Sequence, residues 1–169
     1  MKKSLILIFT ILTLSIFVYS EVKIGIINAQ EIMAKTKKGV QVQNKLENLQ
    51  KAKQNELQGK QDELKQLEKE LSSPALNADT RAKKTRDLQD KRIQMQRLVE
   101  DAEQLMRAET QKELGGLQRE IMPLIQEIGK AKGFTVIFDV SSSGIAYFDQ
   151  TIDVTAEVIK AVDAKFPGK

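Results

Sequence analysis

The residues able to do chemistry in this 169-residue chain are defined first by what is missing, because it has no His, no Cys and no Trp. His is the only side chain that titrates near neutrality unperturbed, and it is the commonest metal ligand. Any catalytic mechanism would therefore rest on Ser, Lys, Tyr or carboxylates. Ser141-Ser142-Ser143-Gly144 offers hydroxyls and backbone N–H groups, but no His stands ready as a base to activate a nucleophile. The run reads as a turn. Asp139, Asp149 and Asp153 offer oxygen ligands for a hard cation, yet Asp at such positions more often ends strands and caps helices. No catalytic, cofactor-binding or metal site is assigned, and the chain is not read as an enzyme.

Binding chemistry is better represented. Arg81, Lys83, Lys84, Arg86, Lys91 and Arg92 are set against only Asp87 and Asp90. Such a cluster attracts acidic polypeptide or an anionic lipid surface; it is equally what a solvated helix face looks like. Lys35, Lys37 and Lys38 form a second cluster. Met33, Met95, Met106 and Met122 suit either an adaptable surface or a helical seam, and the seam is preferred.

The first twenty residues, MKKSLILIFTILTLSIFVYS, read as a signal peptide cleaved after Ser20: two Lys, an apolar run from Leu5 to Val18, then small residues at Val18 and Ser20. Without Lys2 and Lys3 the net charge falls from +4 to +2. That near balance, with export, argues against a nucleic-acid partner. An exported chain without Cys has no disulfide framework, so packing or assembly must stabilise it.

The elements that position these residues divide by composition. Glu21 to Gly133 contains no aromatic residue; Phe134, Phe138, Tyr147, Phe148 and Phe166 all follow it. Val22, Ile24 and Ile26 alternate as one strand face, and Phe134, Val136, Phe138 and Val140 as another. A hairpin turn at 141–144 then leads into a third strand, GIAYFD. Asp153 is the predicted N-cap of a last helix carrying Val154, Val158, Ile159 and Val162. Between the strands, Val42, Leu46, Leu49, Leu57, Leu64, Leu67 and Leu71 form a 3/4-spaced stripe with one slip. Leu88, Met95, Leu98, Ala102 and Leu105 form a second, and Leu114, Leu117, Ile121, Leu124 and Ile128 resume it. Such stripes among Glu, Lys, Gln and Arg predict a coiled coil.

That helical run is interrupted once, in SSPALNADTR. The residue before proline is biased away from helical geometry, so Ser72-Ser73-Pro74 ends one helix. Asn77 caps the next, with Asp79 in its first turn; a start at Ser73 with Pro74 in the first turn is the alternative. One reversal makes an antiparallel hairpin, which brings the strands together. The fold class is α+β: residues 21–40 plus 117–169 make a small β-rich body, and residues 41–116 make a helical arm with its tip near 72–80. Ile24, Ile26, Val136, Phe138, Tyr147 and Val158 are the expected body core and oligomer contacts. Gly115, Gly116 and Pro123 weaken the second helix, as a hinge or a static bend. So small a body, carrying so long an arm, is expected to share its core with other copies.

VKIGIINAQEIMAKTKKG and GFTVIFDVSSSGIAYFDQTIDVTAEVIKAV resemble the two ends of the Skp/OmpH family of periplasmic chaperones, most specifically in IDVTAEVIKAV, and the match spans nearly the whole chain after residue 20. The resemblance implies a homotrimer with three arms around a cavity. It also implies a periplasmic, ATP-independent holdase for unfolded outer-membrane proteins, with no cofactor and no catalytic residues to transfer. The rival expectations are an exported scaffold whose hairpin docks a fixed partner and, if the first twenty residues stay attached, a membrane-anchored coiled coil.

Overall fold

A computed structural model of the chain describes residues 22–167; the expected signal segment and its cleavage point lie outside the described residues. In chain order come β1 (Ile24–Ile27), α1 (Ala29–Lys35), α2 (Lys37–Leu71), α3 (Ala78–Lys132), β2 (Val136–Asp139), a 3-10 turn (Gln150–Ile152) and α4 (Thr155–Lys165). The fold is α+β: a 35-residue and a 55-residue helix pair as an antiparallel hairpin above a small two-stranded sheet.

The reversal lies where local chemistry places it. Leu71 is the last residue of α2, and Asn77 caps α3 by accepting a hydrogen bond from the Thr80 N–H at 2.8 Å. The start at Ser73 is not used. At its other end α3 stops at Gly133, whose positive φ of 71° only glycine adopts without strain. Phe134 N–H then closes back on Gly129 O at 2.9 Å, a Schellman-type end.

α1 was not foreseen. Asn28 caps it by accepting from the Glu31 N–H, and Thr36 ends it and caps α2 by accepting from the Gly39 N–H. The corner between them is tight, because a Cβ on Gly39 would lie 2.1 Å from Met33 O.

The sheet differs from expectation. β1 and β2 are parallel, in the register Ile24–Val136, Gly25–Ile137, Ile26–Phe138 and Ile27–Asp139. No third strand forms at GIAYFD. Asp139 is the reason the chain does not turn back as a hairpin. Its side chain accepts from Ser141 N–H and from the hydroxyls of Ser141 and Ser142, and its carbonyl accepts from Ser143 N–H, curling the chain off the strand. The free edge of β1 meets Asp153 instead, with Val154 N–H donating to Ile26 O at 3.0 Å.

Of the residues expected as body core or oligomer contacts, Ile26 and Val158 are buried in the lone chain and the rest are not. Ile27 and Ile137 join the core side, while Ile24, Val136 and Phe138 are 36–42% exposed. Ile26 is buried, covered from the Val154 side, whereas Val22 and Tyr147 stand out in solvent. The core is built by Ile27, Ile32, Leu117, Ile121, Leu124, Val154, Val158 and Val162. Asp153 is not the cap of α4: Val154 occupies that position, and the Asp153 carboxylate accepts from Thr155 N–H one residue outside it.

Candidate functional site

Along the arm the leucines of α2 are half-buried against α3. On α3 the seam runs through Met95, Leu98, Ala102, Met106, Glu109, Glu113, Leu117, Ile121 and Leu124, an unbroken 3/4 series of wholly or partly buried residues. Leu105 and Leu114, assigned to the seam by residue type, are 39% and 38% exposed. Two carboxylates take the seam positions beside them because Lys45 of α2 answers both. Its ammonium is 2.5 Å from Glu113 and 3.9 Å from Glu109. Bonding to Lys45 holds the Glu113 carboxyl below its ordinary pKa, against the opposing effect of burial, and raises that of Lys45 in return.

The basic cluster near the tip divides in two. Arg81 reaches back across the reversal and donates to Leu71 O at 2.6 Å and Ser73 O at 2.9 Å, satisfying carbonyls at the end of α2. Lys84 pairs with Glu70 at 2.6 Å, Lys91 with Glu63 at 2.8 Å and Arg92 with Glu68 at 2.6 Å, each joining α3 to α2. Hydrogen bonds from Lys91 and then Lys60 lower the Glu63 pKa from 4.5 to about 2. Lys83 and Arg86 have no ion-pair partner among the described residues. Four of the six predicted contact residues thus bind the hairpin to itself, and two face outward free.

The second cluster also works internally. Lys35 pairs with Glu31 and Lys37 donates to Pro167 O at 2.9 Å. Lys38 lies against Glu120, with the Phe166 ring centroid 5.4 Å from its ammonium. Asp139, Asp149 and Asp153 do not converge on a cation. Each accepts from nearby backbone N–H groups, and no group of three potential ligands occurs among the described residues. Burial pushes the Asp139 carboxyl up, but hydrogen bonds from Ala29, Ser141 and Ser142 outweigh it and the net shift is downward.

Where the arm joins the body lies an open apolar groove of about 570 Å³ between α1 and α3, lined by Ile27, Ile32, Met33, Leu114, Leu117, Ile121, Met122 and Ile125. Met95 and Met106 are in the seam; Met33 and Met122 line this groove instead. The groove was missed because α1, which makes one wall, is too short to show periodicity. The legible signal was Asn28 followed three residues later by Glu31, a helix-start pattern. Gly115, Gly116 and Pro123 lie in the α3 segment forming the other wall. No helix among the described residues is long and apolar enough to cross a membrane.

A projecting, ion-paired helical hairpin on a small body with an exposed apolar sheet face defines a protein class that works through surfaces. The chain belongs to the outer membrane protein (OmpH-like) family, whose model matches residues 23–162. It is 27% identical over 142 residues to the chaperone protein Skp of Yersinia enterocolitica, covering 83% of this chain and 85% of that one. Its fold matches a putative outer membrane chaperone (OmpH-like) of Caulobacter crescentus with a TM-score of 0.75, at 21% identity and 88% coverage of both chains.

Proposed function

We propose that the protein is an ATP-independent holdase that binds unfolded outer-membrane proteins in the periplasm and keeps them from aggregating. The observation that carries this reading is the distribution of apolar side chains along the longer arm helix. Ile93, Leu105, Leu114 and Met122 are 38–45% exposed and lie far apart on a charged surface. No single one is a strong anchor. Many such contacts sum by avidity, and each is individually replaceable, so a client can leave without nucleotide-driven release when folding into the membrane wins. Family membership and the similarity to a chaperone support the same reading.

The body supports assembly into a homo-oligomer, a trimer by family resemblance. Ile24, Val136 and Phe138 would leave an apolar face in water on a lone chain, with Tyr147 exposed as well, and covering it with further copies would supply the core that so small a body lacks. Lys83 and Arg86 are the cations of the tip cluster left free to attract acidic client segments or, weakly, anionic lipid. Export with cleavage after Ser20 completes the proposal.

The test is to dilute two outer-membrane β-barrel proteins of unrelated sequence from urea into the purified protein without ATP. The holdase reading predicts that both stay soluble in complex with it. A protein that captures neither, yet binds one folded partner through its arms, would instead be a scaffold.

A further inference from the structure

Oxidants attack sulfur side chains most readily, and this chain has no Cys to take that attack in place of Met. The chemistry falls on Met33, Met95, Met106 and Met122, since Met1 lies outside the described residues. The fold does not treat these four alike. Met106 is half-buried in the seam between α2 and α3. Met95 is half-buried there too, in a narrow cleft of about 170 Å³ that Lys60, Lys91 and Glu63 also line. Those three side chains pair across its lining, with Lys60 2.9 Å and Lys91 2.8 Å from Glu63.

Met122 is placed differently. It is 40% exposed and takes no part in the buried core. Its side chain lines the groove of about 570 Å³ between α1 and α3, wide enough to admit a small oxidant. Met33, half-buried at the edge of the core, lines the α1 wall of the same groove. Asp139 is the one charged residue among the described groove lining, and its carboxylate is already engaged by Ala29 and Ser141. No cation in that lining stands ready to receive a new polar oxygen.

We propose that Met122, with Met33 on the facing wall, is a site of reversible oxidation by peroxides that turns the groove from apolar to polar. The thioether sulfur attacks one peroxide oxygen and the O–O bond breaks. Sulfur loses two electrons and keeps that oxygen as the sulfoxide; the other oxygen leaves as water, taking up the first one's proton. A methionine sulfoxide reductase returns the thioether, with a thiol supplying the two electrons. An apolar segment laid over the groove would bury the sulfoxide oxygen without a hydrogen bond, so it is held less tightly. That consequence rests on the holdase reading. The order in which the methionines oxidise does not.

The test exposes the purified protein to hydrogen peroxide, quenches it at intervals and counts sulfoxide at each methionine by peptide mass. Met122 is expected to convert several-fold faster than Met95 or Met106, and the rates should converge in urea. Seam methionines that convert as fast as Met122, or an order that persists in urea, overturn the site whether or not the protein holds clients. Capture of a urea-unfolded outer-membrane β-barrel protein is expected to weaken by about fivefold once Met122 and Met33 are oxidised. Reductase treatment restores it, and Met122→Gln without peroxide weakens it in the same direction. In Met33→Leu with Met122→Leu, peroxide leaves capture where the untreated variant has it. If that variant loses helix by circular dichroism, Met122→Leu alone, read while Met33 is still reduced, carries the same prediction. An equal loss in the leucine variant overturns the switch. An untreated protein that captures no client refutes the holdase reading, and the oxidation rates still decide the site.

Discussion

Arg81 and Lys83 are two residues apart and similar in charge, yet the structure gives them different work. Arg81 bonds the carbonyls of Leu71 and Ser73 across the reversal, while Lys83 has no ionic partner among the described residues. Arg81→Ala is therefore expected to loosen the tip and lower the melting temperature, by about 2–4 °C if the loss is near 1 kcal/mol. Lys83→Ala with Arg86→Ala should leave the melting temperature unchanged and weaken capture of acidic clients at low salt. Thermal melts and binding titrations on the two variants separate these roles; equal melts and equal affinity would refute the division. The sequence showed that the cations cluster but not how they divide, because Glu63, Glu68 and Glu70, which claim three of them, sit on the other helix. Knowing which carboxylate meets which cation requires the register of the hairpin. It is fixed by contacts 14 to 28 residues apart in the chain, and periodicity alone does not supply it.

At the scale of elements, the helices were legible because their ends are local. Proline, asparagine and a glycine at positive φ each act within one turn, so the bounds of α3 follow from Asn77 and Gly133. The sheet was less legible. Its pairing is long-range, and alternation gives two faces without saying which one the chain itself covers; Ile24, Val136 and Phe138 are the ones it leaves exposed. Glycines at the arm root show the same limit. Gly39→Ala must displace the Met33 backbone and is expected to destabilise the fold markedly, whereas Gly115→Ala and Gly116→Ala should each stabilise it by about 1 kcal/mol. Denaturant melts that rank these three alike would show that the root is not built this way. The hairpin should also lose stability in acid. The carboxyls of Glu63, Glu70 and Glu113 are all held below their ordinary value by lysines on the facing helix. A lowered folded pKa means the stabilisation is fully present above about 4.5 and disappears as pH falls towards about 2, the value for Glu63. Circular dichroism melts between pH 6 and 2 should show the midpoint falling through that window. A midpoint independent of pH there would contradict the cross-helix pairing.

The whole molecule joins an arm that stabilises itself to a body that leaves part of its apolar surface uncovered. The resemblance carried in the two ends of the sequence pointed to this architecture, and family membership and fold agree. How copies meet is a property of surfaces, and Ile24, Val136 and Phe138, expected as core or oligomer contacts, stand exposed on the lone chain. Phe138→Ser is expected to reduce the oligomer to smaller species in sedimentation while keeping most of its helix; an unchanged sedimentation coefficient would place the interface elsewhere. The central claim is that assembled chains hold an unfolded client between their arms. Its most direct measurement is the light-scattering mass of the soluble complex formed when a urea-unfolded outer-membrane β-barrel protein is diluted into the purified protein without ATP. A single species with the mass of three chains and one client is the predicted result. Client found only in large aggregates, beside an oligomer of unchanged mass, would contradict it.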